Sequence, residues 1–131
     1  MSRDIISEFI IGIKNAGNAD KLSVAFPYSK LKEAIATVLQ KEGFIKSVAK
    51  IGEAPKEILE IGIAYRGKHL PKIKAVARVS KLSKRIYLNS SDIDSVRSGY
   101  GALIMSTPQG VMTGAVAKKK KIGGEALFKI W

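Results

Sequence analysis

Ile5, Ile6, Phe9, Ile10 and Ile13 recur at spacings of three and four, among polar Asp4, Ser7, Glu8 and Lys14. That spacing predicts an amphipathic helix over residues 4–15, capped by Ser2 or Asp4 and ended at Gly17. Leu22, Val24 and Phe26 then alternate with Ser23 and Ala25, which predicts a short strand stopped by Pro27. Ser29 is placed to cap a second helix by accepting a backbone N–H three residues on. Leu31, Ile35, Val38 and Leu39 form its expected buried face, and Gly43 closes it. Residues 44–51 and 58–65 read as two strands joined by a turn at 52–56, which contains Pro55. The order helix, strand, helix, strand, strand predicts helices on one face of a small sheet.

Residues 65–71 break this rhythm, and Gly67 and Pro71 mark a connector. A boundary there divides the chain into 1–65 and 66–131. The second half reads as mostly β. Residues 73–79 and 85–88 are expected strands around 81–84, and 90–96 hold one short helical turn before Gly99 and Gly101. Residues 102–105 suit a buried strand, and 106–110 form a loop by composition. Thr113 can cap a short helix over 114–120, ended by Gly123 and Gly124, and residues 125–131 make a last strand. The expected fold class is α+β: two small domains, an N-terminal α/β unit and a mostly β C-terminal domain with short helices.

Hydrophobic residues make up 46% of the 131, enough for a core. There is no cysteine, so disulfides and thiolate metal sites are excluded. No stretch reaches the roughly 18–20 apolar residues that span a bilayer, and Arg3, Asp4 and Glu8 interrupt the N-terminus too early for a signal peptide. A cytosolic location is the expectation. Charge changes the picture more. Residues 1–65 carry 9 Lys/Arg and 8 Asp/Glu, whereas residues 66–131 carry 14 and 3. Such an excess repels itself, so an anionic partner, most simply a nucleic acid, is expected on the second half.

Enzyme chemistry finds little support. His69 is the only histidine and sits in the connector, without the companions that a metal site or a nucleophile–base pair needs. Asp92 and Asp94 stand two apart, which on a helix does not put them on one face. Neither Gly99-Tyr100-Gly101 nor Gln109-Gly110 completes a phosphate-binding motif. No catalytic residue, cofactor or metal is expected. RNA-binding groups are better represented. Folded RNA is read through 2′-hydroxyls, displaced bases and backbone shape. Ser106, Thr107, Gln109 and Gly110 offer hydroxyls, an amide and backbone N–H on a loop stiffened by Pro108. Lys84, Arg85, Arg97 and the run Lys118, Lys119, Lys120 and Lys121 offer cations, and Tyr87 offers a stacking face.

The stretch from Gly101 to Met112, reading Gly-Ala-Leu-Ile-Met-Ser-Thr-Pro-Gln-Gly-Val-Met, followed by Gly123-Gly124-Glu125, resembles the signature of the bacterial small-subunit ribosomal protein number eight family. The resemblance extends to Asp4-Ile5-Ile6, to Tyr28-Ser29-Lys30-Leu31-Lys32, to Glu42-Gly43-Phe44-Ile45 and to Arg85-Ile86-Tyr87, and so covers essentially the whole chain. It implies a two-domain α+β protein that binds the central domain of small-subunit rRNA directly and helps its assembly. It also implies neighbouring small-subunit proteins as partners, a monomer within the ribosome, and a ribosome of the cytoplasm or an organelle. By position it implies that Ser106, Thr107, Gln109 and Gly110 are the RNA-reading loop, Tyr87 the aromatic beside it, and Glu125 an acidic brace. Ser29, Lys30 and Lys32 match a lesser contact surface. The sequence departs from the family at residues 80–84, where Arg-Pro-Gly is common, and at Pro108-Gln109.

Other readings follow from the same residues. Some members of that family bind their own messenger RNA as translational repressors. An RNA-modifying enzyme would need perturbed acids in a pocket, and the basic half has only three. A membrane-surface protein would need a large apolar face beside the lysine run, where Val116 and Ile122 offer little.

Overall fold

The structure, a computed structural model, describes residues 4–96 and 100–131 and has an α+β fold with two compact units. Ser2, Arg97 and Gly99 lie outside the described residues. One unit comprises residues 8–74, the other the described residues of 4–7 and 75–131.

The helix α1 (Ile5–Asn18) follows from the three-and-four spacing of its isoleucines. Asp4 caps it, with its carboxylate accepting the Ser7 N–H at 3.1 Å. The helix α2 (Lys30–Lys41) is capped by Ser29, whose hydroxyl accepts the Lys32 N–H at 3.1 Å. Between them runs β1 (Ser23–Pro27), and after α2 come β2 (Ile45–Ile51) and β3 (Ile58–Ile63). These three strands form one antiparallel sheet in the order β1-β3-β2. Phe9, Ile10 and Ile13 of α1, Ile35, Ala36 and Leu39 of α2, and Leu59 and Ile61 of β3 are all buried. Each such large aliphatic or aromatic side chain contributes roughly 1.5–3 kcal/mol when fully buried. Phe9 meets Phe26 edge to face at 4.8 Å. Leu31, expected on the buried face, is 41% exposed, and Ala36 takes its place in the core.

Residues 65–71 are more than a connector. They form a small hairpin of β4 (Tyr65–Gly67) and β5 (Leu70–Pro71). The Tyr65 hydroxyl donates to the Lys21 carbonyl at 2.5 Å, and Lys72 N–H donates to the Ala64 carbonyl. His69 Nδ1 lies 2.5 Å from the Asp20 carboxylate. These bonds tie the hairpin to the first unit, which runs to residue 74.

The other unit contains β6 (Val76–Arg78), β7 (Tyr87–Leu88), a 3-10 turn at Ser90–Asp92, β8 (Ala102–Thr107), β9 (Gly110–Thr113), α3 (Gly114–Lys119) and β10 (Gly124–Ile130). Its antiparallel sheet runs β6-β10-β8-β9, with β7 also paired to β10. The strand β10 is the centre: Gly124 and Glu125 pair with β7, and Phe128, Lys129 and Ile130 with β6. Thr113 caps α3 by accepting the Val116 N–H at 3.2 Å. Ala117 packs with Met105, Met112, Ala126 and Ile93 in the core behind the sheet. Asp4 belongs here, because Arg78 Nε donates to both its oxygens, at 3.3 and 3.1 Å, while Arg78 also donates to the Leu127 carbonyl.

Candidate nucleic-acid interface

Residues 106–110 are a hairpin rather than an open loop. The strand β8 continues through Thr107, Gly110 opens β9, and Pro108 and Gln109 make the turn. Sequence alone gave no sign of β9, since Gly110–Thr113 is too short for a pattern and exists through its pairing with β8. The Thr107 hydroxyl closes the turn. It donates to the Gly110 carbonyl at 2.8 Å and accepts the Gln109 N–H at 3.2 Å. Gly110 has φ +112, a backbone region open mainly to glycine.

Register assembles the rest. Tyr87 pairs with Glu125 across β7 and β10, Glu125 with Ser106 across β10 and β8, and Ser106 with Val111. Directly paired residues share a sheet face, so Tyr87, Glu125 and Ser106 stand side by side in one row. Neighbouring Met105 and Ala126 point the other way, into the core with Ala117. Tyr87 is 69% exposed, and the Ser106 hydroxyl forms no hydrogen bond among the described residues. Gly124 makes this row possible. A Cβ there would lie 2.3 Å from the Ser106 carbonyl oxygen and 3.0 Å from Thr107 Cγ2.

The cations fall into distinct roles. Arg85 Nη1 donates to Glu125 at 3.1 Å, which holds the guanidinium beside the row. Lys84 is exposed at a four-residue turn, where Lys81 and Lys84 exchange backbone hydrogen bonds of 2.8 and 3.0 Å. That turn forms without Arg-Pro-Gly because Ser80, fully buried, pins its base: Ile86 N–H donates to the Ser80 hydroxyl at 2.8 Å, and the hydroxyl donates to the Ile86 carbonyl at 3.2 Å. Ser80 stood out in the sequence only as the first residue of the departing segment 80–84, with no sign of this bracing role. In the lysine run, Lys118 Nζ donates to the Ile93 carbonyl at 3.0 Å, so its ammonium is engaged within the fold. Lys119, Lys120 and Lys121 are exposed at the end of α3, which packs on the face opposite Ser106.

Ser29, Lys30 and Lys32 belong to the first unit. The Ser29 hydroxyl caps α2, Lys32 Nζ donates to the Pro27 carbonyl at 2.9 Å, and Lys30 is exposed. Arg97 lies outside the described residues. Among the described residues no group of three His, Cys, Asp or Glu side chains is placed to hold a metal, and no helix is long and apolar enough to cross a membrane.

An α+β chain whose most distinctive surface is a hydroxyl-bearing hairpin, an aromatic and a set of cations has the build of a basic binding protein. The family model for ribosomal protein S8 matches residues 4–131. The chain is 46% identical over 124 residues to the "Small ribosomal subunit protein uS8" of Laribacter hongkongensis, covering 95% of this chain and 94% of that one. It is 42% identical to that of Ruthia magnifica, over 98% and 97% of the two chains. With that of Petrotoga mobilis it shares 37% identity over the full length of both. The chain belongs to the ribosomal protein S8 family, whose members are structural ribosomal components and not enzymes.

Proposed function

We propose that this chain is a structural component of the small ribosomal subunit that binds the central domain of small-subunit rRNA directly and helps it assemble. The row Tyr87–Glu125–Ser106 beside the Thr107-braced turn carries this reading. Ser106 offers an unengaged hydroxyl for a 2′-hydroxyl or base edge, and Gln109 adds an exposed amide. Tyr87 offers a ring to a displaced base. Lys84, Lys119, Lys120 and Lys121 neutralise phosphate and set affinity, while Arg85, steered by Glu125, adds a directed cation. Ser29, Lys30 and Lys32 supply a second, weaker contact, in which exposed Lys30 is the cation presented while Ser29 and Lys32 hold the start of α2, and the location is that of the ribosome.

The test is to sequence RNA that co-purifies with the chain and then measure binding to the recovered segment. Enrichment of one segment from the central domain of small-subunit rRNA, with at least tenfold preference over an unrelated duplex, supports the reading. Equal recovery of all RNA, or none, overturns it.

A further inference from the structure

The sheet β1-β3-β2 has one face covered by helices and one face open. Leu59, Ile61 and Ile63 point to the covered face and are buried, so Ile58, Glu60 and Gly62 point outward. Register completes that outer face in three rows. The central row is Ala25–Glu60–Ala49. On one side lie Ser23–Gly62–Ser47, and on the other Pro27–Ile58–Ile51. A Cβ on Gly62 would lie 2.2 Å from Ser47 Oγ, so the serine lies over the glycine and the surface is flat there. Ile51 and Ile58, paired and 43% and 38% exposed, form an apolar edge with Pro27.

What sets this face apart is charge. The chain carries 23 Lys and Arg, yet none stands among these nine positions. Two cations of β2 border them: Lys50 pairs with Leu59 on the helix side, where it holds Glu57 at 2.7 Å and lies over the Tyr28 ring, and exposed Lys46 stands at the register shift beside Ser47, at one edge of the face. Glu60 is half-buried between two alanines and joins no ion pair among the described residues. A phosphate backbone would meet the Glu60 carboxylate at the centre of the face and only Lys46 at its edge, so RNA is a poor match. A second copy docked face to face about a two-fold axis would bring Glu60 towards its own equivalent. The complementary occupant presents a single cationic head with apolar flanks.

We propose that this face docks a basic protein, one that sets an arginine or lysine on Glu60 and lays apolar side chains on Pro27, Ile58 and Ile51. The partner is a protein of the same particle, so the inference rests on the ribosomal reading above. It goes further by assigning protein contact to this face.

The experiment places the photo-crosslinking residue benzoylphenylalanine at Ala49, and separately at the rim position Ser23, in the full-length chain. Small subunits are assembled from rRNA and the remaining small-subunit proteins, then irradiated. Crosslinking to another protein, in a peptide carrying Arg or Lys, supports the proposal if Glu60→Lys lowers the yield roughly tenfold or more while the chain stays folded and in the particle. Crosslinks to rRNA or to a second copy, indifference to Glu60→Lys, or no protein crosslink from either position overturn it. A chain that fails to sediment with the particle overturns the ribosomal reading as well. A chain that sediments but gives no such crosslink overturns this inference alone.

Discussion

The Thr107 hydroxyl donates to the Gly110 carbonyl at 2.8 Å, across a turn whose other bond to that hydroxyl comes from the Gln109 N–H. Its neighbour Ser106 has a hydroxyl with no such duty. The two residues therefore separate support from recognition. Ser106→Ala is expected to leave stability within about 0.5 kcal/mol and to weaken binding to the cognate RNA roughly tenfold, the worth of about one good hydrogen bond. Thr107→Ala is expected to cost about 1–2 kcal/mol of stability, with Thr107→Ser restoring most of it. Urea unfolding and filter binding on the same samples check both, and equal stability loss in the two alanine variants would refute the division.

Gly124→Ala tests how tightly β10 approaches β8. The new Cβ would lie 2.3 Å from the Ser106 carbonyl oxygen, a backbone atom that cannot rotate away. Overpacking of this kind costs about 1–3 kcal/mol. Because the strain falls on Ser106 itself, RNA affinity should drop in the same variant. A thermal melt and a binding isotherm read the two effects together.

The lysine run should split. Replacing Lys119, Lys120 and Lys121 with Gln should flatten the dependence of log affinity on log salt by roughly 0.7–0.9 for each phosphate no longer neutralised, with little change in stability. Lys118→Met should do the reverse, because its ammonium serves the Ile93 carbonyl. About 1 kcal/mol less stability and a smaller change of salt slope than in the triple variant are expected there. Titrations at several salt concentrations distinguish the two outcomes.

Acid should weaken the unit that contains Asp4. Burial pushes the Asp4 carboxyl up, but the Ser7 hydroxyl and N–H, and then Arg78, more than offset it and hold it below its ordinary value. A carboxyl lowered in the fold stabilises it above the unfolded value of about 3.9. That contribution disappears as pH falls through the lower folded value. Wild type should exceed Asp4→Asn by about 1 kcal/mol at pH 7, and the gap should close as pH falls below about 3.9. A gap that persists at pH 2 would contradict the assignment. Paired denaturation curves from pH 7 to pH 2 measure it.

The chain's local order was legible in its residues. The helix α1 follows from isoleucine spacing, α2 and α3 from Ser29 and Thr113 caps, and β1 and β3 from short apolar runs. Each helix depends on partners within about four positions, which the chain places together whatever the rest of it does. The kinds of residue at the site were legible too: Ser106, Thr107, Tyr87 and the cations were named by their chemistry, and Glu125 by the resemblance alone.

Tertiary structure decided which of them stand together and which are already occupied. Ser106, Glu125 and Tyr87 share a row only because β10 runs between β8 and β7, pairings that cross 19 and 38 residues of sequence. Thr107 and Lys118 look like free polar groups until the turn and the Ile93 carbonyl take their hydrogen bonds. The strand β9 and the hairpin at residues 65–71 exist through pairing, not through pattern. Sequence determines what a short segment prefers. Strand partners are chosen by burial and hydrogen bonding between segments far apart along the chain, and a shift of one residue in register would turn each of these side chains to the other face.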